Sequence, residues 1–141
     1  MNKSVLIVED SDEDMEAIKR ALSRSFPEIM VHRLPDGDGV IAWLLHAASD
    51  LPSLVLLDLN LLTGDGREVL AAIREESALQ DLPIVVLTSS TNPRDVNECY
   101  SAGASSYLFK SVDFSLLQTT LTAGLEYWLN APPQAAEFVT A

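Results

Sequence analysis

The sequence predicts an α/β fold, doubly wound, in which five parallel strands alternate with five helices. Short apolar runs recur without polar alternation, as in Val5-Leu6-Ile7-Val8 and Leu54-Val55-Leu56-Leu57. Such runs are typical of parallel strands that are covered on both faces. Longer segments with apolar residues at helical spacing separate them. The 141 residues are enough for one domain with a full core and too few for a second.

The first three strand–helix pairs occupy the first part of the chain. They are predicted at 4–8 and 12–25, at 29–31 and 38–48, and at 54–58 and 66–76. Each helix places apolar residues on one face, for example Met15, Ile18 and Leu22 in the first helix. The second strand is the weakest, because only Ile29-Met30-Val31 supports it.

Two further pairs complete the fold. They are predicted at 84–87 and 93–102, and at 106–109 and 113–130. Gly103 follows the fourth helix and is expected to end it in the left-handed conformation. The fifth helix has one face expected to pack on the sheet, formed by Phe114, Leu117, Leu121, Leu125 and Trp128. We therefore predict a domain over residues 1–130 and a C-terminal tail over 131–141.

The composition argues against several classes of protein. A net charge of −12 leaves no basic stripe for nucleic acid. No apolar stretch approaches the roughly 20 residues of a membrane helix, and the N-terminus lacks a signal-peptide pattern. The single cysteine, Cys99, excludes an internal disulfide and is expected on the inner face of a helix. These features predict a cytoplasmic protein.

Charged and polar side chains end four of the predicted strands. In a parallel sheet of flavodoxin-like order 2-1-3-4-5, ligands bind beyond the carboxyl ends of strands 1 and 3. Glu9 and Asp10 end strand 1, Asp58 ends strand 3, and Thr88 and Lys110 follow strands 4 and 5. Buried charges cost several kcal/mol unless they are compensated. We therefore expect three carboxylates, one hydroxyl and one ammonium group to meet in a shallow cleft.

Each of these residues also has a simpler explanation. The acids at 12–14 follow Ser11 in a first helical turn, and we assign them to capping and to the helix dipole. Asp10 could also cap the helix, Thr88 could be an ordinary polar residue at the start of a loop, and Lys110 could be a solvated lysine at a strand end. The joint placement of the five residues at one edge is more specific than any single residue, and it favours a site.

Three neighbouring carboxylates require a cation, because each raises the pKa of the others. A donor set made only of oxygens matches Mg²⁺, and the absence of His and Cys from these positions disfavours zinc. With Mg²⁺ bound, one carboxylate can attack a phosphoryl group. Asp58 is the expected nucleophile because it lies between the acidic pair and Lys110.

Four motifs follow one another at defined spacings. They are Leu6-Ile7-Val8-Glu9-Asp10, Leu57-Asp58-Leu59-Asn60, Thr88 after Val85-Val86-Leu87, and Lys110 after Tyr107-Leu108-Phe109. Thr88 follows Asp58 by 30 residues and precedes Lys110 by 22. Together these motifs resemble the receiver domain of two-component response regulators, and the resemblance covers residues 3–130.

The resemblance implies a phosphoacceptor. Asp58 would accept a phosphoryl group from a phosphohistidine of a sensor histidine kinase, as one step of a phosphorelay. Asp10 and Asp58 would bind Mg²⁺ through their side chains, Asn60 through its backbone carbonyl, and Glu9 through a water. The domain would catalyse its own phosphorylation and dephosphorylation, so we expect a signalling protein rather than an enzyme.

The resemblance also implies how phosphorylation is transmitted. Lys110 would contact the phosphoryl group and Thr88 would move toward it, which would let Tyr107 turn inward as an aromatic switch. The surface of the fourth helix, fifth strand and fifth helix would then change. Because the chain ends after the fifth helix, we expect a stand-alone receiver that signals by protein contact or onward phosphotransfer.

One departure from the family separates this chain from most receivers. The family usually has Lys-Pro with a cis bond, whereas this chain has Lys110-Ser111. A cis bond before serine costs about 3 kcal/mol, so the bond is expected to be trans or held by its surroundings. With Asp65-Gly66-Arg67-Glu68-Val69-Leu70 and Tyr127-Trp128-Leu129, this feature resembles the subgroup that partners bacterial and cyanobacterial phytochromes.

The last helix carries a second, mainly apolar stripe on the side away from the predicted inner face. It is formed by Leu116, Thr120, Ala123 and Tyr127. A helix that packs on one side of a sheet does not need such a stripe, although scattered surface hydrophobes are common. We expect a homodimer through the face of the fourth helix, fifth strand and fifth helix. Phe138, in the tail, could reach the partner subunit.

Two other functions fit parts of this pattern. A phosphatase or phosphotransferase of the haloacid-dehalogenase type also uses a strand-end aspartate, but it needs a second aspartate two residues later, where this chain has Asn60. A docking module with a receiver fold and no phosphorylation would be expected to lack the acidic pair or Lys110, and both are present.

Overall fold

A computed structural model describes residues 3–62 and 64–130 as one five-stranded parallel sheet with helices on both faces. The strands are β1 (Ser4–Val8), β2 (Met30–Leu34), β3 (Leu54–Leu57), β4 (Ile84–Thr88) and β5 (Ser106–Phe109). Their order across the sheet is β2-β1-β3-β4-β5, and every neighbouring pair is parallel. The predicted fold class and strand order are therefore confirmed.

Four helices connect successive strands of the sheet, and a fifth follows β5. They are α1 (Asp12–Ser25), α2 (Val40–His46), α3 (Gly66–Glu75), α4 (Pro93–Ser101) and α5 (Phe114–Asn130), and a 3₁₀ turn at Ser77–Leu79 follows α3. The side chains of Ser11, Asp65 and Asn92 each accept a hydrogen bond from a backbone N–H in the first turn of the helix they precede. Gly103 has φ 108°, which confirms the left-handed residue predicted after α4.

Two apolar layers enclose the sheet. Side chains of β1 alternate between them: Leu6 and Val8 join α2, α3 and α4, whereas Val5 and Ile7 join α1 and α5. Cys99 is fully buried in the first layer, as predicted. Glu9, Asp58 and Thr88 belong to neither apolar layer and lie at the carboxyl ends of β1, β3 and β4.

Several predicted boundaries were wrong. The second strand runs over Met30–Leu34 instead of 29–31, because its ladder with β1 continues through polar residues to the pair Val8 and Leu34. Helix α2 is shorter than the predicted 38–48. A two-stranded antiparallel ladder between Asn60–Leu61 and Gly64–Asp65 was missed, because two-residue strands leave no periodic signal.

Two further sequence predictions concern the backbone after β5 and the tail. The described residues contain no cis peptide bond, so Lys110-Ser111 is trans. The predicted tail at 131–141, with Phe138, lies outside the described residues. Within the described part of the chain, no helix combines the length and the apolarity that a bilayer crossing requires.

Candidate functional site

Three polar residues are buried at the carboxyl edge of the sheet. Glu9 follows β1 and is 1% exposed, Asp58 follows β3 and is 6% exposed, and Thr88 ends β4 with no exposed surface. No other polar or charged residue in the ranges 3–62 and 64–130 is buried. The order β2-β1-β3 places Glu9 beside Asp58, because β1 and β3 pair directly.

Lys110, the residue after β5, reaches across the edge and contacts three carboxylates. Its Nζ donates hydrogen bonds to Glu9 Oε1 at 2.8 Å, to Asp14 Oδ2 at 2.9 Å and to Asp58 Oδ2 at 3.0 Å. A lysine ammonium has three protons, so all of its donors are used. This one cation compensates the two charges whose burial would otherwise be costly.

The electrostatic balance of the site is visible in two pKa values. Burial is the main reason that the pKa of Glu9 is raised to about 7; the hydrogen bond from Lys110 lowers it and the negative charge of Asp58 raises it. Burial lowers the pKa of Lys110, but hydrogen bonds to Glu9 and Asp14, together with Asp58, outweigh burial and raise that pKa above its usual value. The site therefore holds excess negative charge around a permanent cation.

One carboxylate oxygen from each of Glu9, Asp10 and Asp58 lies within 4.8 Å of the others. Backbone amides orient all three groups: Ser11 N donates to Glu9 Oε2 at 3.2 Å, Leu62 N to Asp10 Oδ2 at 2.6 Å, and Asn60 N to Asp58 Oδ1 at 3.1 Å. A set of three converging carboxylates fits a hard divalent cation such as Mg²⁺.

The start of α3 fixes the backbone that follows Asp58. Gly66 N donates to the Leu59 carbonyl at 2.8 Å. A Cβ atom on Gly66 would lie 2.4 Å from the Asp58 carbonyl oxygen and 2.7 Å from Leu59 Cα. Only glycine allows this close approach. This role of Gly66 was not predicted from the sequence, because it depends on how closely α3 approaches the end of β3.

Asp14 was assigned to capping and to the helix dipole, and that assignment was incomplete. Its backbone N–H does donate to Ser11 Oγ at 3.2 Å, as a capping arrangement requires. Its side chain, however, turns toward the sheet edge and binds Lys110. The acid at the third position of α1 therefore belongs to the site, although Asp12 instead pairs with Arg33.

Residues 5–122 match the family of response regulator receiver domains. The chain belongs to this family. The family prediction made from the sequence is therefore confirmed over most of the chain.

Several similar receivers are known. The chain is 39% identical over 128 residues to the probable methanogenesis regulatory protein FilR2 of Methanothrix harundinacea, which covers 89% of this chain and 83% of that protein. It is 37% identical over 131 residues to the response regulator Rcp1 of Synechocystis, which covers 90% and 89% of the two chains.

Solved structures agree with this relationship. The crystal structure of the phosphorylated cyanobacterial phytochrome response regulator RcpA superposes with a TM-score of 0.84 at 35% identity, over 94% of this chain and 97% of RcpA. The Mn²⁺-bound form of Rcp1 superposes with a TM-score of 0.81 at 36% identity, over 92% and 96% of the two chains.

In this receiver, Thr88 and Tyr107 belong to one hydrogen-bonded chain through Ser90. The Tyr107 hydroxyl donates to the Ser90 carbonyl at 2.9 Å, and Ser90 N donates to Thr88 Oγ1 at 3.3 Å. The Ser90 hydroxyl donates to Asp95 Oδ2 at 2.6 Å, which connects the loop to α4. Ser90 was not predicted as part of the site, because one serine among the polar residues at 89–91 carries no distinguishing sequence signal.

A second cluster of charges joins α3 to α4. Arg67 contacts Asp65 at 2.9 Å, Asp95 at 3.2 Å and Glu98 at 2.5 Å. The hydrogen bond from Arg67 holds the pKa of Asp65 below its usual value. A cleft of about 390 Å³ between this cluster and the loop that follows Asp58 is lined in part by Asn60, Arg67 and Thr88.

The second stripe of α5 is on the protein surface. Leu116 and Tyr127 are exposed apolar residues, Ala123 is exposed, and Thr120 is half-buried. On the opposite side of α5, Leu117, Leu121 and Leu125 are buried, and the packing extends to Leu129, which the predicted inner face omitted.

Proposed function

We propose that this receiver accepts a phosphoryl group on Asp58 from a phosphohistidine of a phytochrome-type sensor histidine kinase. The observation that carries the proposal is the buried pair of Glu9 and Asp58 held by the Lys110 ammonium group. A buried carboxylate beside a positioned cation and further acidic groups is suited to nucleophilic attack on phosphorus.

In the proposed reaction, an Asp58 carboxylate oxygen forms a bond to phosphorus while the P–N bond of the donor phosphohistidine breaks. The electron pair of that bond stays with the imidazole nitrogen, which takes a proton from solvent. The Lys110 ammonium lies 3.0 Å from Asp58 Oδ2, so its positive charge is close to the group that Asp58 would receive. The product is an acyl phosphate that the domain makes and hydrolyses itself.

Glu9, Asp10 and Asp58 are the side chains that would hold Mg²⁺, with the Asn60 backbone carbonyl as a further ligand. Glu9 would act through a water. When bound, Mg²⁺ neutralises charge on the phosphoryl oxygens and on the carboxylates. The three converging oxygens and the absence of nitrogen or sulfur donors from this trio support Mg²⁺ as the cofactor.

The proposed response to phosphorylation starts at Thr88 and Tyr107. Movement of Thr88 toward the phosphoryl group would break the contact between Thr88 Oγ1 and Ser90 N. That movement would disturb the Ser90 carbonyl that holds the Tyr107 hydroxyl, and Tyr107 would turn inward. The face of α4, β5 and α5 is therefore the surface that we expect to change.

The similar proteins support a phytochrome-type partner for this chain, because RcpA is a cyanobacterial phytochrome response regulator. The proposed location is the cytoplasm, which suits a chain with one buried cysteine. Transfer from a phytochrome-type kinase, autophosphorylated with labelled ATP, is expected to be faster than transfer from a kinase of another sensor class. Equal rates would contradict the partner and leave the phosphoacceptor function intact.

The phosphoacceptor function is tested with acetyl phosphate and Mg²⁺ followed by intact-mass measurement. We expect one added phosphate on the wild type, none on Asp58→Asn, and one on the control Asp12→Asn, since Asp12 is solvent-exposed. Steady release of phosphate from acetyl phosphate without a trapped phosphoprotein would favour the dehalogenase-type enzyme. No modification at all would favour a docking module.

We also propose a homodimer through the face of α4, β5 and α5, with a receiver domain over 1–130 and residues 131–141 as an additional arm. The exposed Leu116 and Tyr127 support this proposal. Light scattering is expected to show a dimer for the wild type and for the control Leu45→Glu on α2, and a monomer for Leu116→Glu. An unchanged dimer after deletion of 131–141 would exclude the tail, with Phe138, from the interface.

A further inference from the structure

Lys110 has no free proton with which to bind a phosphoryl group. Its three N–H donors are directed at Glu9, Asp14 and Asp58. If Lys110 is to donate to a phosphoryl oxygen on Asp58, one of these three hydrogen bonds must be released. The cost of that release adds to the cost of phosphorylation.

The three partners differ in how easily they can be released. Glu9 is 1% exposed, so bulk solvent cannot replace the ammonium group there. Asp58 carries the phosphoryl group, so Lys110 must stay beside it. The side chain of Asp14 is 44% exposed, and water can replace the ammonium group there at little cost.

We propose that Asp14 is a positioning residue that holds Lys110 in the unphosphorylated receiver and yields it to the phosphoryl group. This inference rests on the proposed function of Asp58. Because Asp14 and the phosphoryl group compete for the same N–H donor, Asp14 reduces the affinity of the site for a phosphoryl group without touching that group. The hydrogen bond from Asp14 N to Ser11 Oγ keeps the first turn of α1, and with it the carboxylate, at the required place.

The test measures binding of beryllium fluoride, a non-covalent phosphoryl mimic, to the full chain in the presence of Mg²⁺ by ¹⁹F NMR titration. Removing the competing carboxylate in Asp14→Asn is expected to tighten binding about threefold, the size expected for a partly exposed ion pair. Asp14→Glu can still reach Lys110 and is expected to return the affinity toward the wild-type value.

Glu13→Gln is the matched control. Glu13 is the preceding residue in the same turn, is exposed, and makes no hydrogen bond to Lys110. This variant loses the same charge near the site and the same helix-dipole interaction, and its affinity is expected to change little. Thermal unfolding of all variants separates a change in affinity from a loss of fold.

Two results would overturn the inference. The first is an affinity of Asp14→Asn equal to that of the wild type. The second is an equal gain in affinity for Glu13→Gln, which would mean that the loss of one negative charge near the site explains the effect. A wild type that does not bind beryllium fluoride would instead contradict the proposed function of Asp58 and, with it, this inference.

Discussion

Two clusters in this receiver combine one cation with three carboxylates, and they differ mainly in their access to water. The Lys110 cluster consists of Lys110, Glu9, Asp14 and Asp58, and the Arg67 cluster of Arg67, Asp65, Asp95 and Glu98. The side chain of Lys110 is 12% exposed and that of Arg67 is 37% exposed. Each cation has three carboxylate partners, so the main difference between the two clusters is burial.

The two clusters shift the pKa of a carboxylate in opposite directions. In the Lys110 cluster, burial raises the pKa of Glu9 to about 7 although a cation lies 2.8 Å away. In the Arg67 cluster, the guanidinium hydrogen bond dominates and lowers the pKa of Asp65. The presence of an ion pair therefore does not by itself determine the direction in which the pKa of a carboxylate shifts. A buried excess of negative charge still calls for a second cation, whereas the exposed cluster is satisfied by Arg67 and water.

The largest predicted effect is the loss of the buried cation. Lys110→Ala leaves Glu9 and Asp58 buried and uncompensated, and is expected to reduce the free energy of unfolding by about 3–5 kcal/mol. The measurement is urea unfolding in EDTA. Addition of Mg²⁺ is expected to restore part of the loss, because a bound cation can take over the compensation.

Lys19→Ala, which removes an exposed lysine of α1, serves as the control and is expected to change the free energy by less than about 0.5 kcal/mol. A loss below about 1 kcal/mol in Lys110→Ala would mean that the buried carboxylates are compensated in another way. Burial of the Lys110 cluster would then not make its cation essential for stability.

A smaller effect is predicted for the exposed cation. Arg67→Ala is expected to cost about 1 kcal/mol, because its three partners can be solvated where they lie. The cost should shrink when unfolding is measured in 1 M NaCl, where exposed charges are strongly screened. The cost of Lys110→Ala should hardly change with salt, because that cluster is buried. Equal salt dependence of the two variants would contradict the conclusion that only the Arg67 cluster is exposed to solvent.

The sequence was sufficient to predict much of the Lys110 cluster, because the ends of parallel strands meet at one edge. Glu9, Asp58 and Lys110 each follow a strand, so the strand order alone brings them together. The Arg67 contacts with α4 depend instead on the angle and distance between two helices. No sequence period reports that geometry, so Asp95 was not anticipated.

The contact between Asp14 and Lys110 is a part of the site that could not be predicted from the sequence. The position of Asp14 in the first turn of α1 has a complete local explanation in capping and the helix dipole. Whether its carboxylate points to water or to Lys110 depends on how α1 is positioned relative to the carboxyl edge of the sheet. The extent of β2 was missed for a similar reason, since a ladder with β1, and not hydrophobicity, carries the strand through His32 and Arg33.

The smallest predicted effect concerns pH and the Arg67 cluster. Asp65→Asn keeps an oxygen that can cap α3 but removes the charge beside Arg67, so it is expected to cost about 0.5 kcal/mol at pH 7. The folded pKa of Asp65 lies below its unfolded value. Its stabilisation is therefore fully present above the unfolded pKa of about 3.9 and is lost as the pH falls through the folded pKa.

Urea unfolding of the wild type and Asp65→Asn between pH 7 and pH 3 tests this sign, with Glu68→Gln in the same turn of α3 as a control that has no bond to Arg67. The difference between the wild type and Asp65→Asn should close as the solution becomes acidic. A difference that grew toward low pH would mean that Asp65 has a raised pKa like that of Glu9. Burial would then not be what separates the two clusters.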